Sequence, residues 1–326
     1  MTAQPHDPQS SGSSAAPWSD SAQDGRSAQD RSATATTQRS VVEREDRPEP
    51  PVRKTRSGGI GGAALTLITW LLALGFFLPV AWMVLTSFKQ EADASTNPPT
   101  FFFAPTLDQY RAVIDAGLGD YMLNSAIATV ASTVLVLLLG IPAAYAVSIR
   151  PVEKTSDVLF FFISTKMLPV VAVIVPIYVV AGQLKVLDSV WTLVLLYTAM
   201  NLPIAVWMMR SFFQEVPREV LEAAEIDGAS LTTTLRTILI PMVAPGIAST
   251  ALICVIFAWN EFFFALNLTA VEAATVPVML VSTMTSEGLF LARLSAASVL
   301  ASLPVVIAGW VAQKQLVRGL SMGAIK

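Results

Sequence analysis

Six long stretches of this chain carry almost no charge, and they decide what it can fold into. Ser57–Phe88, Tyr121–Ile149, Ser189–Met209, Thr237–Asn260 and Leu294–Gln313 contain no Asp, Glu, Lys or Arg, and Val158–Leu184 contains one, Lys166. About 20 apolar residues are needed for a helix to cross a bilayer. In hydrocarbon every backbone N–H and C=O must bond within the protein, which leaves helices for runs of this length. The sequence therefore predicts an all-α membrane protein with six transmembrane helices, at about 60–86, 122–148, 158–182, 189–210, 241–264 and 294–313.

Composition narrows the chemistry. Only 14% of the 326 residues are charged, against about 25% in soluble domains. Net charge is −3, which argues against a nucleic-acid partner. The single cysteine, Cys254, and the single histidine, His6, rule out an intrachain disulfide and leave no His/Cys cluster for a metal. There is no phosphate-cradling glycine loop, and no nucleophile–base pair falls in the apolar runs. No cofactor, no metal and no catalytic residue are expected: the chain is read as a transporter, not an enzyme.

Residues 1–56 differ in kind. The first 50 hold eight Asp/Glu and five Arg among Ser, Gln and Pro, too few large apolar groups to offset ordering. They read as a disordered cytoplasmic extension, regulatory or dispensable, ahead of a six-span domain over 57–326. The first apolar run starts too late and is too long for a signal peptide. With the N-terminus inside, the inner segments hold 16 Lys/Arg and the outer ones Lys89, Arg111, Lys185 and Arg293. That asymmetry places both termini in the cytoplasm. Prolines (Pro79, Pro142, Pro169, Pro176, Pro203, Pro245, Pro304) and small residues such as Gly140, Ala144, Ala296 and Ala297 suit a closely packed bundle.

The longest inner loop, 211–241, reads SFFQEVPREVLEAAEIDGASLTTTLRTILIP. Pro217 suits a helix's first turn. Val220, Leu221 and Ala224 recur at helical spacing, flanked by Glu222 and Glu225. Gly228 can end that helix in a left-handed conformation, and Ser230 can cap a second helix carrying Leu231, Leu235 and Ile238. Two short helices joined at a glycine form a knob that another protein could grip.

These residues resemble the EAA loop of ABC importer permeases: Glu222-Ala223-Ala224, three residues, Gly228, nine residues, then Ile238-Leu239-Ile240-Pro241, with Ile240 where the family has Leu. Trp259-Asn260-Glu261-Phe262 and the ending Val317–Lys326 are similar to the maltose-permease-related sugar importers. Ser164–Pro169 with Val175–Tyr178 is similar to members assigned to polyols such as mannitol and sorbitol. The resemblance covers about residues 60–326. It implies a type I importer bundle with cytoplasmic coupling helices in a bacterial plasma membrane. It also implies a second homologous permease, two ATP-binding-cassette ATPase subunits, an extracytoplasmic solute-binding protein and a carbohydrate substrate. Glu222, Ala223, Ala224, Asp227, Gly228, Ala229 and Pro241 are then the ATPase-coupling residues.

Lys166, Asn260 and Glu261 are the candidates for the translocation path or gate. A charge within a span is costly and marks function by default, although the long lysine stem could carry Nζ to the interface. Asn124 and Asn201 are further candidates. Trp191, Trp207 and Trp310 suit belt anchors, and Cys254 a small buried apolar group. A self-contained secondary transporter or channel is the alternative, but it would need more ionisable groups in the spans than Lys166 and Glu261.

Overall fold

The computed structural model describes residues 60–149, 154–285 and 288–322, with side chains for 62–149, 154–283 and 290–313. The extension at 1–56 lies outside the described residues. The chain divides within its first helix into two units, 1–70 and 71–326. Of the first, only the start of that helix is described.

The helices in chain order are α1 (Ile60–Thr86), α2 (Glu91–Ala94), α3 (Asp108–Asp115), α4 (Leu118–Ser148), α5 (Thr155–Met167), α6 (Val170–Gln183) and α7 (Val190–Gln214). Then come α8 (Arg218–Ile226), α9 (Leu231–Thr233), a π-helical stretch Thr234–Leu239, α10 (Ile240–Met242), α11 (Ala244–Trp259), α12 (Phe263–Leu268), α13 (Val276–Ser282) and α14 (Leu291–Met322). Before α14, β1 (Met284–Thr285) pairs antiparallel with β2 (Gly288–Leu289). Among the described residues four helices, α1, α4, α7 and α14, are long and apolar enough to cross a membrane unbroken.

The third and fifth expected spans are not single helices. Residues 158–182 fall in α5 and α6, which meet at 89°. Pro169 lacks an N–H and disfavours helix at the residue before it. Leu168 and Pro169 are accordingly extended, at ψ 123° and 124°. The fifth stretch, 241–264, is cut at both ends: Leu231–Met242 meets α11 at 78°, and α11 stops at Trp259 rather than 264. If each bent pair is one crossing, the total is six.

The core of residues 71–326 is built on α4, α7 and α11, with α14 against α11. Small residues permit the approach: a methyl at Gly140 would sit 3.6 Å from the Ala205 Cβ, in van der Waals contact. Three buried levels follow along the bundle. Ala128, Tyr197 and Ala258 pack at one, Val136, Ala205 and Cys254 at the next, and Tyr145, Met209, Phe213 and Leu239 at the third. Cys254 is fully buried as a small apolar group. Leu123, Val130, Val134 and Leu138 on α4 are exposed, an outward face suited to lipid. Trp191 and Trp310, near span ends, are exposed as well.

Candidate functional site: the α8–α10 knob

At Glu215 the chain leaves α7, turns through Pro217 (ψ 136°) and re-enters helix at Arg218. Pro217 thus stands at the cap rather than inside the first turn. In α8, Leu221 packs on the Tyr145–Phe213–Leu239 cluster and Ala224 is buried. Glu222 and Ala223 are exposed, and Ile226 is 86% exposed. A small residue is needed at 224 because the helix lies down on the bundle there; the other face is left free.

The helix ends in a Schellman arrangement. Ala229 N–H donates to the Ala224 carbonyl at 2.9 Å and Gly228 N–H to the Glu225 carbonyl at 3.0 Å. Gly228 holds φ +70°, a conformation that costs other L-residues about 1–2 kcal/mol. Ser230 Oγ then accepts from Thr233 N–H at 3.3 Å and caps α9. The π-helical stretch follows and packs Leu239 into the core. Pro241 lies in α10, just before the bend at Val243. A cavity of about 610 Å³ lies where this knob meets the ends of α4 and α7, lined by Tyr145, Phe213, Arg218, Leu221 and Glu222.

One very close approach between α7 and α11 lies beside the knob. Gly246, in the first turn of α11, faces the ring of Phe212 near the end of α7. A Cβ there would lie 2.3 Å from Phe212 Cγ, well inside contact distance. Glycine at 246 is therefore a packing requirement.

The path candidates are engaged in different ways. Lys166 is exposed at the end of α5, one residue before the break, with Nζ 6.0 Å from the centroid of the Phe257 ring on α11. Asn260 caps α11 and donates Nδ2–H to its own helix at the Ile256 carbonyl, 2.8 Å. Glu261 turns back on the next helix: its carboxylate accepts from Phe264 N–H (2.8 Å) and Ala265 N–H (3.3 Å). These are local helix-end bonds. Trp259, from the same motif, donates Nε1–H to the Ala301 carbonyl of α14 at 3.1 Å. Asn124 is engaged at long range, donating to the carbonyls of Glu272 and Ala274. Asn201 is fully buried on α7, with neither side-chain atom hydrogen-bonded among the described residues.

Three groups escape a reading of the sequence. Lys89, counted there among outer-loop cations, is 1% exposed. Its Nζ donates to the Thr100 carbonyl at 2.6 Å and lies 4.6 Å from the Trp82 ring. Glu91 accepts from Ala292 N–H and Arg293 N–H at the start of α14. Asp188, between α6 and α7, accepts from four consecutive backbone N–H groups, Ala270 to Ala273. Burial pushes its carboxyl up, but the four donors outweigh that and hold it at about 2. Among the described residues no group of three His, Cys, Asp or Glu could hold a metal.

A bundle of apolar helices with a glycine-ended knob between α7 and α11 is consistent with a membrane permease. Comparison with known proteins agrees. Residues 136–321 match the family described as the binding-protein-dependent transport system inner membrane component, and the chain belongs to it. It is 37% identical over 262 residues to a probable ABC transporter permease protein, y4oR, of Sinorhizobium fredii, covering 80% of this chain and 94% of that one. It is 34% identical over 267 residues to the trehalose/maltose transport system permease protein MalG of Thermococcus litoralis, covering 78% and 94%. The structure of a bacterial ABC transporter involved in import of the acidic polysaccharide alginate shares the fold, with a TM-score of 0.66 at 24% identity over 80% of this chain and 98% of that one. The chain is thus a multi-pass ABC importer permease of the inner membrane. It is not an enzyme, and it works with an ATPase and a binding protein.

Proposed function

We propose that this chain is one of two permease subunits of an importer that carries a carbohydrate, a sugar or a polyol, into the cytoplasm. A second, homologous permease lies against it in the membrane, and two ATPase subunits lie beneath. Both termini and the α8–α10 knob face the cytoplasm, as the distribution of Lys and Arg favours. The sugar reading rests on the trehalose/maltose relative. The polyol reading rests on Ser164–Pro169 and Val175–Tyr178.

One observation carries the coupling role. The EAA segment folds into a helix that buries Leu221 and Ala224 against the bundle and leaves Glu222, Ala223 and Ile226 outward. It is locked in that pose by the turn at Gly228. The exposed face is the surface an ATPase cleft grips, and Asp227, Gly228 and Ala229 form its rigid end. When ATP closes the ATPase pair, the knob follows as a rigid body. The bundle passes between two packed arrangements, and access switches sides. Lys166, at the α5–α6 break, is the remaining candidate for the path.

The test is purification of the complex in mild detergent, wild type beside Gly228→Asp. Among the described residues, its chain neighbours aside, no atom lies within 4 Å of a Cβ at 228, so the variant adds strain and charge without a clash. The expected result is that an ATPase, a second permease and a binding protein accompany the wild type, while the variant inserts normally and loses the ATPase. Retention of the ATPase by the variant refutes docking at this knob. Uptake of labelled trehalose, maltose, mannitol and sorbitol by the intact complex separates sugar from polyol.

A further inference from the structure

Asp188 is the most heavily hydrogen-bonded side chain described. Its Oδ1 accepts from Ala270 N–H (2.9 Å) and Ala273 N–H (3.0 Å), and its Oδ2 from Val271 N–H (3.0 Å) and Glu272 N–H (3.1 Å). Its own N–H donates to the Leu268 carbonyl at 2.8 Å, and it holds φ +54° to do so. A non-glycine residue keeps that conformation only where its surroundings impose it. Successive N–H groups turned toward one point form an anion-binding concavity. Here the protein fills the concavity with its own carboxylate, from a residue 82 to 85 positions away in sequence.

The same segment is held from a second side. Asn124 Nδ2–H donates to the Glu272 and Ala274 carbonyls at 2.8 and 3.0 Å, and Ser125 Oγ accepts from Val276 N–H at 2.9 Å. Both lie on α4. A connection of seven residues, 269–275, thus has no regular structure of its own but is pinned by side chains from α4 and from the α6–α7 turn. The pinning turns its tip outward: Val271 is 83% exposed, and Ala270 and Glu272 are exposed beside it. A loop that only joined two helices would not need both anchors. Holding a tip rigid reduces the ordering cost of binding a partner.

We propose that Asp188 is a positioning residue for docking of the extracytoplasmic binding protein: it preforms the exposed 270–272 tip as a contact surface. This rests on the orientation given above, in which the α6–α7 and α12–α13 connections lie on the outer side. Asparagine at 188 tolerates positive φ and keeps the side chain's size. It has one acceptor oxygen, and its NH₂ faces N–H groups where the carboxylate met them. The tip then loses about half its anchorage and must be ordered each time a partner binds.

The experiment uses the complete transporter in lipid nanodiscs, titrated with the solute-binding protein encoded beside it and loaded with maltose or trehalose, and it reads ATPase rate. For Asp188→Asn the half-saturating concentration of binding protein is expected to rise about tenfold. The basal rate and the rate at saturation stay within about twofold, because the knob and its ATPase contacts are untouched. Hydrogen exchange on the same samples shows faster exchange confined to Ala270–Ala273. An unchanged half-saturation, with exchange at those four amides raised, overturns the proposal: the clamp orders the loop but does not serve docking. Unchanged exchange overturns it at the root. If the variant does not assemble, Asn124→Ala removes the α4 anchor instead and must give the same rise. If the binding protein fails to stimulate even the wild type, the importer reading is at fault, not the clamp.

Discussion

Replacing Gly246 by alanine sets two effects of opposite sign against each other. Alanine in a helix is favoured over glycine by up to about 1 kcal/mol. Against this, the new methyl would lie 2.3 Å from Phe212 Cγ, 2.4 Å from Cδ2 and 2.7 Å from Cδ1. Carbon atoms rest at about 3.5–4.0 Å, so the pair must separate by more than about 1 Å. Cγ is the root of the ring, so a small ring rotation gives no relief: Phe212 must change rotamer or α11 must move. Overpacking of this kind costs about 1–3 kcal/mol and outweighs the helix term. After the helix gain is subtracted, about 1–2 kcal/mol of the loss remains, so thermal unfolding of the purified complex should show Gly246→Ala melting roughly 2–8 °C lower. Stimulated ATPase should fall with it, since the contact lies at the root of the knob. The sharper test is the background. In Phe212→Ala the obstruction is gone, so the same substitution should become neutral or stabilising, a reversal of sign that only a direct contact produces. An equal loss in both backgrounds, or no loss in the wild type, refutes the argument that glycine is there for Phe212.

Two further outcomes are expected. Lys166→Met should lower uptake while leaving assembly of the complex intact; uptake at the wild-type rate would leave Lys166 as an interface group only. Asp188, held at about 2 against about 3.9 in an unfolded chain, stabilises the fold above the unfolded value, and that contribution is lost as pH falls toward 2. The melting-temperature difference between wild type and Asp188→Asn should therefore be constant from pH 5 to 8 and shrink below about pH 4; a difference that varies between pH 5 and 8 counts against the clamp.

Legibility followed the range of the interactions. Gly228 and Ser230 were readable because a helix end is settled within five residues, and the Schellman bonds and the cap formed where the spacing placed them. Proline was not readable in the same way. Pro79, Pro142, Pro176, Pro203 and Pro304 all sit inside continuous helices, yet Pro169 separates two helices at 89°. The local effect of the ring is the same at each; neighbouring elements decide whether the helix resumes in line. Glu261 and Asn260 looked free because an ionisable or amide group late in an apolar run has no visible partner. Their partners are backbone groups of the adjacent turns. Asp188 and Lys89 were passed over for the converse reason. Each looks like an ordinary loop charge, and what engages them, the 270–273 amides for one and the Trp82 and Phe103 rings with the Thr100 carbonyl for the other, comes from elsewhere in the fold.

The Trp259 indole gives α11 a mechanical character. Thirteen residues separate its tie to α14 from the pinch at Gly246, about 20 Å of helix at 1.5 Å per residue. The helix is thus tied at both ends, beside the knob and at the opposite end, with Cys254 packed between against Val136 and Ala205. Each degree of rotation about the pinch carries the indole end roughly 0.3 Å, so a tilt of a few degrees is enough to stretch or break a 3.1 Å bond to Ala301. If the knob tilts α11, this tie passes the tilt to α14 while the bond holds and frees α14 from it once the bond breaks.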